Sequence, residues 1–129
     1  MAAVAPKRAA VFFQCAGAQE VCSALRAALD DELQKARFAN VRNAAKADVA
    51  ITARVTTVQG RVTADQQFAV RTYSIELSGE AVRSSEAVAM PAPATLSYDP
   101  AFGSERVAEK ARLVAGEVAE KLQAFVAGR

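Results

Sequence analysis

The residues that could do chemistry are few. Two cysteines, Cys15 and Cys22, stand with six residues between them. That spacing matches no common zinc pattern, and the chain has neither a histidine nor a third cysteine to complete a metal site. The lack of histidine also excludes Ser-His-Asp and Cys-His nucleophilic machinery. Cys15 closes the strand-like run Val11-Phe12-Phe13-Gln14, and Cys22 falls in the first turns of the helix after it. Two readings fit: a disulfide that pins this loop to its helix in an oxidising compartment, or two buried thiols acting as small hydrophobes. Carboxylates gather at Asp30-Asp31-Glu32 and at Glu105 with Glu109. Those are helical positions that ordinarily make solvated faces, and nothing beside them would tune a carboxyl for acid–base work. The loop Cys15-Ala16-Gly17-Ala18 enters a helix N-terminus, a generic place for an anion, but one glycine reads as an ordinary connection. No GxGxxG or P-loop pattern occurs. The expectation is a chain with no cofactor, no metal and no enzymatic activity.

Arg54, Arg61, Arg71 and Arg83 lie in or near strand-like segments. Together they would form a basic stripe for an anionic partner or RNA. Alternatively they are outward, solubilising positions that protect strand edges. Sixteen basic residues against 14 acidic leave a net charge of only +2, and neither half of the chain is a basic block. The second reading is therefore preferred, and no nucleic-acid partner is expected.

The elements that must position these residues follow from periodicity. Ala9 to Gln14 is apolar and strand-like. Over Ala18 to Arg37 the residues Val21, Leu25, Ala28, Leu29, Leu33 and Ala36 recur at threes and fours, one helical stripe, with Gly17 as N-cap. Phe38 to Asn43 reads as a short strand and Ala44 to Ala47 as a linker. Asp48 to Gln59 alternates cleanly, with Val49, Ile51, Ala53 and Val55 on one face. Gly60 to Gln67 connects it to Phe68–Ser78, where Tyr73, Ile75 and Leu77 have the opposite parity to Phe68 and Val70, which predicts a β-bulge near Arg71 and Thr72. Glu86 to Met90 reads as a short strand ended by Pro91 and Pro93. Ala94 to Tyr98 is a further extended segment, Asp99-Pro100 a turn, and Gly103-Ser104 a reset with Ser104 as N-cap. Glu105 to Val126 carries Val107, Ala111, Val114, Val118, Leu122 and Phe125 on one face, with Gly116 implying a close contact.

The order β-α-β-β-β-β-α implies an α+β two-layer sandwich. Two helices cover one face of a mixed, mostly antiparallel sheet, and the other face is polar, carrying Arg54 with Arg71 or Thr72. The 31 alanines outnumber the 30 Val, Leu, Phe and Ile residues together, so helices and sheet must approach closely at Ala. Residues 1–8 read as a flexible lead-in to one domain spanning 9–129. They have no apolar segment of a secretory leader, and no run reaches the roughly 18 apolar residues of a membrane span. A precursor whose leader or lipid anchor lay ahead of this chain is compatible with such a start.

The segment Ala47-Asp48-Val49-Ala50-Ile51-Thr52-Ala53-Arg54-Val55 resembles the "ADyvv.G.v" strand of TolB amino-terminal domains and their envelope relatives of the CsgG and LpoB type. Thr72-Tyr73-Ser74-Ile75-Glu76-Leu77 is similar to their "Y.v...L.d" strand, and Ala115-Gly116-Glu117-Val118-Ala119-Glu120-Lys121-Leu122 to the helix that closes the domain. The sequence departs from the pattern at Ala53 and Arg54, where a glycine is usual. The resemblance spans roughly residues 9 to 127. It implies a non-catalytic protein-interaction domain of the bacterial envelope, periplasmic or lipoprotein-tethered. A cytoplasmic anion- or nucleic-acid-binding domain, or a small enzyme, is the alternative. The expected surface for a protein partner or a second copy is the edge strand with Glu86, Val88 and Met90, followed by the open face with Arg54 and Arg71.

Overall fold

A strand that alternates buried and exposed residues needs something to bury against, and here two amphipathic helices supply it. The computed structural model describes residues 9–58, 71–98 and 104–128. Its elements are β1 (Ala10–Gly17), α1 (Gln19–Lys35), β2 (Ala39–Val41), a 3-10 turn (Ala44–Lys46), β3 (Val49–Val58), β4 (Arg71–Ala81), β5 (Glu86–Val88), β6 (Ala94–Tyr98) and α2 (Ser104–Ala127). The architecture is the expected α+β sandwich. The lead-in at 1–8, the connection at 60–67, the strand start Phe68–Val70, Arg61, the Asp99-Pro100 turn and Gly103 lie outside the described residues.

The sheet is mixed. β1 runs parallel to β2 on one side and to β3 on the other, while β3–β4 and both later pairings are antiparallel. The order is β2-β1-β3-β4, with β5 and β6 sharing the last position end to end. Asp48, from the segment resembling the envelope domains, clamps the start of β1. Its carboxylate accepts from the Ala10 N–H at 2.8 Å, and its own N–H donates to the Ala10 carbonyl at 2.7 Å.

One apolar cluster fills the space between the layers. Leu33, Ile51, Ile75 and Leu122 are fully enclosed, each contributing about 1.5–3 kcal/mol by burial. α2 buries Val107, Val114, Val118 and Leu122 as its periodicity predicts, and Phe125 is partly buried against the same core. Ala111, Ala115 and Ala119 are buried too, so the alanine content serves close packing there. α1 closes with Arg37 in the left-handed region (φ 64°), where the Phe38 N–H returns to the Leu33 carbonyl and both side chains are buried.

Four expectations are corrected. Gly17 is not the N-cap of α1; that position is Ala18, and Gly17 is the last residue of β1. Its φ of +120°, and the closeness of the Val55 backbone, require glycine: a Cβ would land on the Val55 carbonyl. Among the described residues no bulge occurs at Arg71 and Thr72, because β4 keeps one unbroken register with β3 from Thr72 to Ala81 and with β6 from Arg71 to Ile75. Gly116 makes no close contact, since a Cβ there meets nothing within 4 Å. Ser104 is the first residue of α2, so the capping position precedes it.

Candidate functional site

The free side of β4 is where the sheet is incomplete. β5 pairs with Gly79–Ala81 and β6 with Arg71–Ile75, in registers Gly79↔Val88 and Ile75↔Ala94. Between them three residues of β4, Glu76 to Ser78, face five, Ala89 to Pro93. The excess of two is carried by Met90-Pro91-Ala92-Pro93, whose prolines cannot donate to a ladder. The expected strand Glu86–Met90 therefore stops at Val88. The edge continues as β6, where the extended segment Ala94 to Tyr98 pairs with β4.

The three edge candidates differ in what they present. Val88 is 4% exposed and belongs to the core. Met90 packs against the core, and a Cβ on Gly79 would come within 3.2 Å of both Met90 Cε and Val88 Cβ, so the glycine admits them. Glu86 is exposed, opposite Ala81. Val88 and Met90 thus seat the edge, and backbone rather than their side chains is what a partner strand would meet.

Beside β6 runs a groove of about 560 Å³. Its floor is Thr95 to Ser97, and its wall is Arg106, Glu109, Lys110 and Leu113 of α2. That spacing of three, four and seven is one helical stripe. Leu113 is 60% exposed.

Arg54 and Arg71 do not share a face, which corrects the expected pairing. Arg54 alternates with the buried Ala53 and Val55 and stands on the open face, opposite Glu76 in register. Arg71 has the parity of the buried Tyr73 and Ile75, so it reaches the helix side, and Thr72 takes the open-face place. There Arg71 Nη1 donates to Glu20 Oε1 at 3.2 Å, and the Tyr73 hydroxyl donates to the same oxygen at 2.8 Å. The Tyr98 ring lies 6.0 Å from that of Tyr73. The Tyr98 hydroxyl faces the same carboxylate but is enclosed without closing a hydrogen bond of regular geometry. The Tyr98 and Tyr73 hydroxyls, with the Arg71 guanidinium, hold the Glu20 carboxyl below its usual range. Burial, and then the negative Glu20, push the Tyr98 hydroxyl up.

Cys15 and Cys22 are joined as a disulfide, with Cα atoms 5.6 Å apart, and no described cysteine is free. The bond ties the end of β1 to the first turn of α1, where the Cys22 N–H already donates to the Ala18 carbonyl at 2.9 Å. Among the described residues no group of acidic or cysteine side chains could hold a metal ion, and no helix is long and apolar enough to cross a membrane.

No family model matches this sequence, and no curated protein matches it significantly. Solved structures do resemble it. An uncharacterized lipoprotein B from Nitrosomonas europaea matches with TM-score 0.57 at 13% identity, over 94% of this chain and 86% of that one. PelC from Paraburkholderia phytofirmans, a dodecamer, matches with TM-score 0.54 at 12% identity, over 93% and 91%. Lipoprotein GNA1162 from Neisseria meningitidis matches with TM-score 0.52 at 12% identity, over 87% and 99%. The chain has the fold of these proteins, two of which are lipoproteins.

Within that fold, sequence reasoning missed the groove and the Glu20–Arg71–Tyr73–Tyr98 cluster. The groove had one local signal, the unshielded Leu113 off the apolar face of α2. The cluster had none, since Glu20 and Tyr73 are 53 residues apart and meet only because α1 starts over β4.

Proposed function

We propose that this chain is a non-catalytic protein-interaction domain of a bacterial cell-envelope component, of the TolB-amino-terminal type and periplasmic or lipid-tethered. It binds through the β5–β6 edge. The observation that carries the reading is that edge. Among the described residues no strand pairs with the outer side of these two short strands and their proline-rich break, which offers backbone donors and acceptors to an added strand, and natural sheets ordinarily cover or charge such a row. Three further facts support it. The fold is that of lipoproteins from Neisseria and Nitrosomonas. A Cys15–Cys22 disulfide suits an oxidising compartment. PelC, which shares the fold, assembles with copies of itself.

The test uses proline on adjacent edge residues. Neighbouring residues in a strand send their N–H groups to opposite sides, so of Ala94→Pro and Thr95→Pro one removes only an outward donor and leaves the β4 pairing intact. The folded variant of the two is expected to lose co-purification with its partner from envelope extracts. Undiminished co-purification by a folded, edge-blocked variant would sink the assignment.

A further inference from the structure

Resting on the edge reading above, we propose that the occupant of the β6–α2 groove is a second copy of this chain, related by a two-fold axis beside Leu96. The argument is self-complementarity. An axis normal to the sheet would set β6 antiparallel to its copy, with Leu96 opposite Leu96, and Thr95 opposite Ser97 in both directions. Hydroxyl pairs of this kind already bind neighbouring strands here, since Thr72 and Ser97 meet at 2.9 Å across β4 and β6. Because Leu96 and the α2 stripe line one groove, the proposal sets the same axis at the midpoint of that stripe, between Glu109 and Lys110. Two antiparallel α2 stripes then place each Glu109 against the other copy's Lys110, and each Leu113 against the aliphatic stem of the other Arg106.

The charges support this occupant. Arg106, Glu109 and Lys110 form no ion pair within the described residues, whereas Lys35 on α1 is paired with Asp31 at 3.0 Å. Along α2 the pairs Arg106/Lys110 and Glu105/Glu109 sit four residues apart with like sign, an arrangement that weakens a helix standing alone. A two-fold copy supplies an opposite charge to Glu109 and to Lys110, while Arg106 packs its stem on Leu113 and keeps its guanidinium in water. Leu113, the most exposed large apolar side chain among the described residues, is covered at the same time. The prolines at 91 and 93 end the ladder just before β6, which confines the pairing to Ala94–Tyr98. Interfaces of this isologous kind close on themselves.

Sedimentation velocity on the oxidised, purified chain tests the proposal, with Glu109→Lys and Lys110→Glu as exposed-site variants checked for folding by circular dichroism. The wild type is expected to dimerise. Each reversal turns two attractive contacts into repulsive ones and should weaken dimerisation about tenfold or more. An equimolar mixture of the two variants restores both contacts, because one then carries only positive and the other only negative charge at these positions, so a heterodimer should form as tightly as the wild-type dimer. A wild type that stays monomeric up to about 1 mM, a dimer indifferent to both reversals, or a mixture no tighter than its components would each overturn it. If the wild type is monomeric while the proline-blocked edge still loses its envelope partner, self-association fails and the edge reading survives.

Discussion

Reducing the Cys15–Cys22 bond removes one covalent tie between β1 and α1 while leaving every other contact in place. The bridged residues are seven apart, so the bond closes a loop of about eight residues. Loop-closure entropy for that length, about 8 cal/mol/K, corresponds to about 2.5 kcal/mol at 25 °C. An unfolding entropy of about 2.1 cal/mol/K per residue over 129 residues is about 0.27 kcal/mol/K, so the melting temperature should fall by about 9 °C. Urea denaturation with and without dithiothreitol measures the free energy, and calorimetry measures the shift. The Cys15→Ala/Cys22→Ala variant should match the reduced wild type to within about 1 kcal/mol and be insensitive to reductant. A loss below about 0.5 kcal/mol with an unchanged urea slope would refute the reasoning, because the strand end and the helix turn would then be held together without the bond.

Gly17→Ala should destabilise by about 2 kcal/mol or more in the same denaturation assay, since it forces a positive φ and a clash with the Val55 backbone. Gly116→Ala should do the reverse and stabilise by about 1 kcal/mol, because the added methyl meets open space and the helix gains propensity. Leu122→Ala should cost about 2–5 kcal/mol, as the side chain is fully buried. Glu20 has a folded carboxyl pKa below its unfolded one, so its stabilisation is full above the ordinary carboxylate range and is lost as pH falls through the depressed value. Glu20→Gln should therefore flatten the acid limb of stability against pH; an unchanged limb counts against the Tyr73–Arg71 cluster.

The parts that were legible in the sequence depend on local period. α2 and β3 each bury one clean set of residues, and their parity is written in consecutive positions. Asp48 was also visible as a motif, although its job as a clamp on Ala10 needs the β1–β3 pairing to be seen. Gly17 was misread because a glycine between strand and helix has two uses. Which applies here is decided by Val55, 38 positions away. Arg71 was set on the wrong face because Phe68 and Val70 suggested a phase change, whereas the ladder runs unbroken from Arg71 onward. β6 is rich in small and polar residues, so the sequence marks it only as extended, and its pairing with β4 makes it a strand of the sheet. The edge was legible from Pro91 and Pro93, but the groove requires α2 laid beside β6, a relation no short window contains.

The two-residue excess between β5 and β6 sets a rule of parity for how this fold can vary. Val88 and Leu96 both point toward the helices because the segment that separates them adds an even number of residues to the register. Lengthening or shortening Ala89–Pro93 by two would keep every side chain of β6 on its present face. A change of one would rotate the strand by half its repeat, bringing Thr95 and Ser97 inside and turning Leu96 and Tyr98 to water. Natural length variation at this break should therefore come in pairs. An odd step would have to be matched by a new bulge in β6 or by an exchange of polar and apolar residues along it.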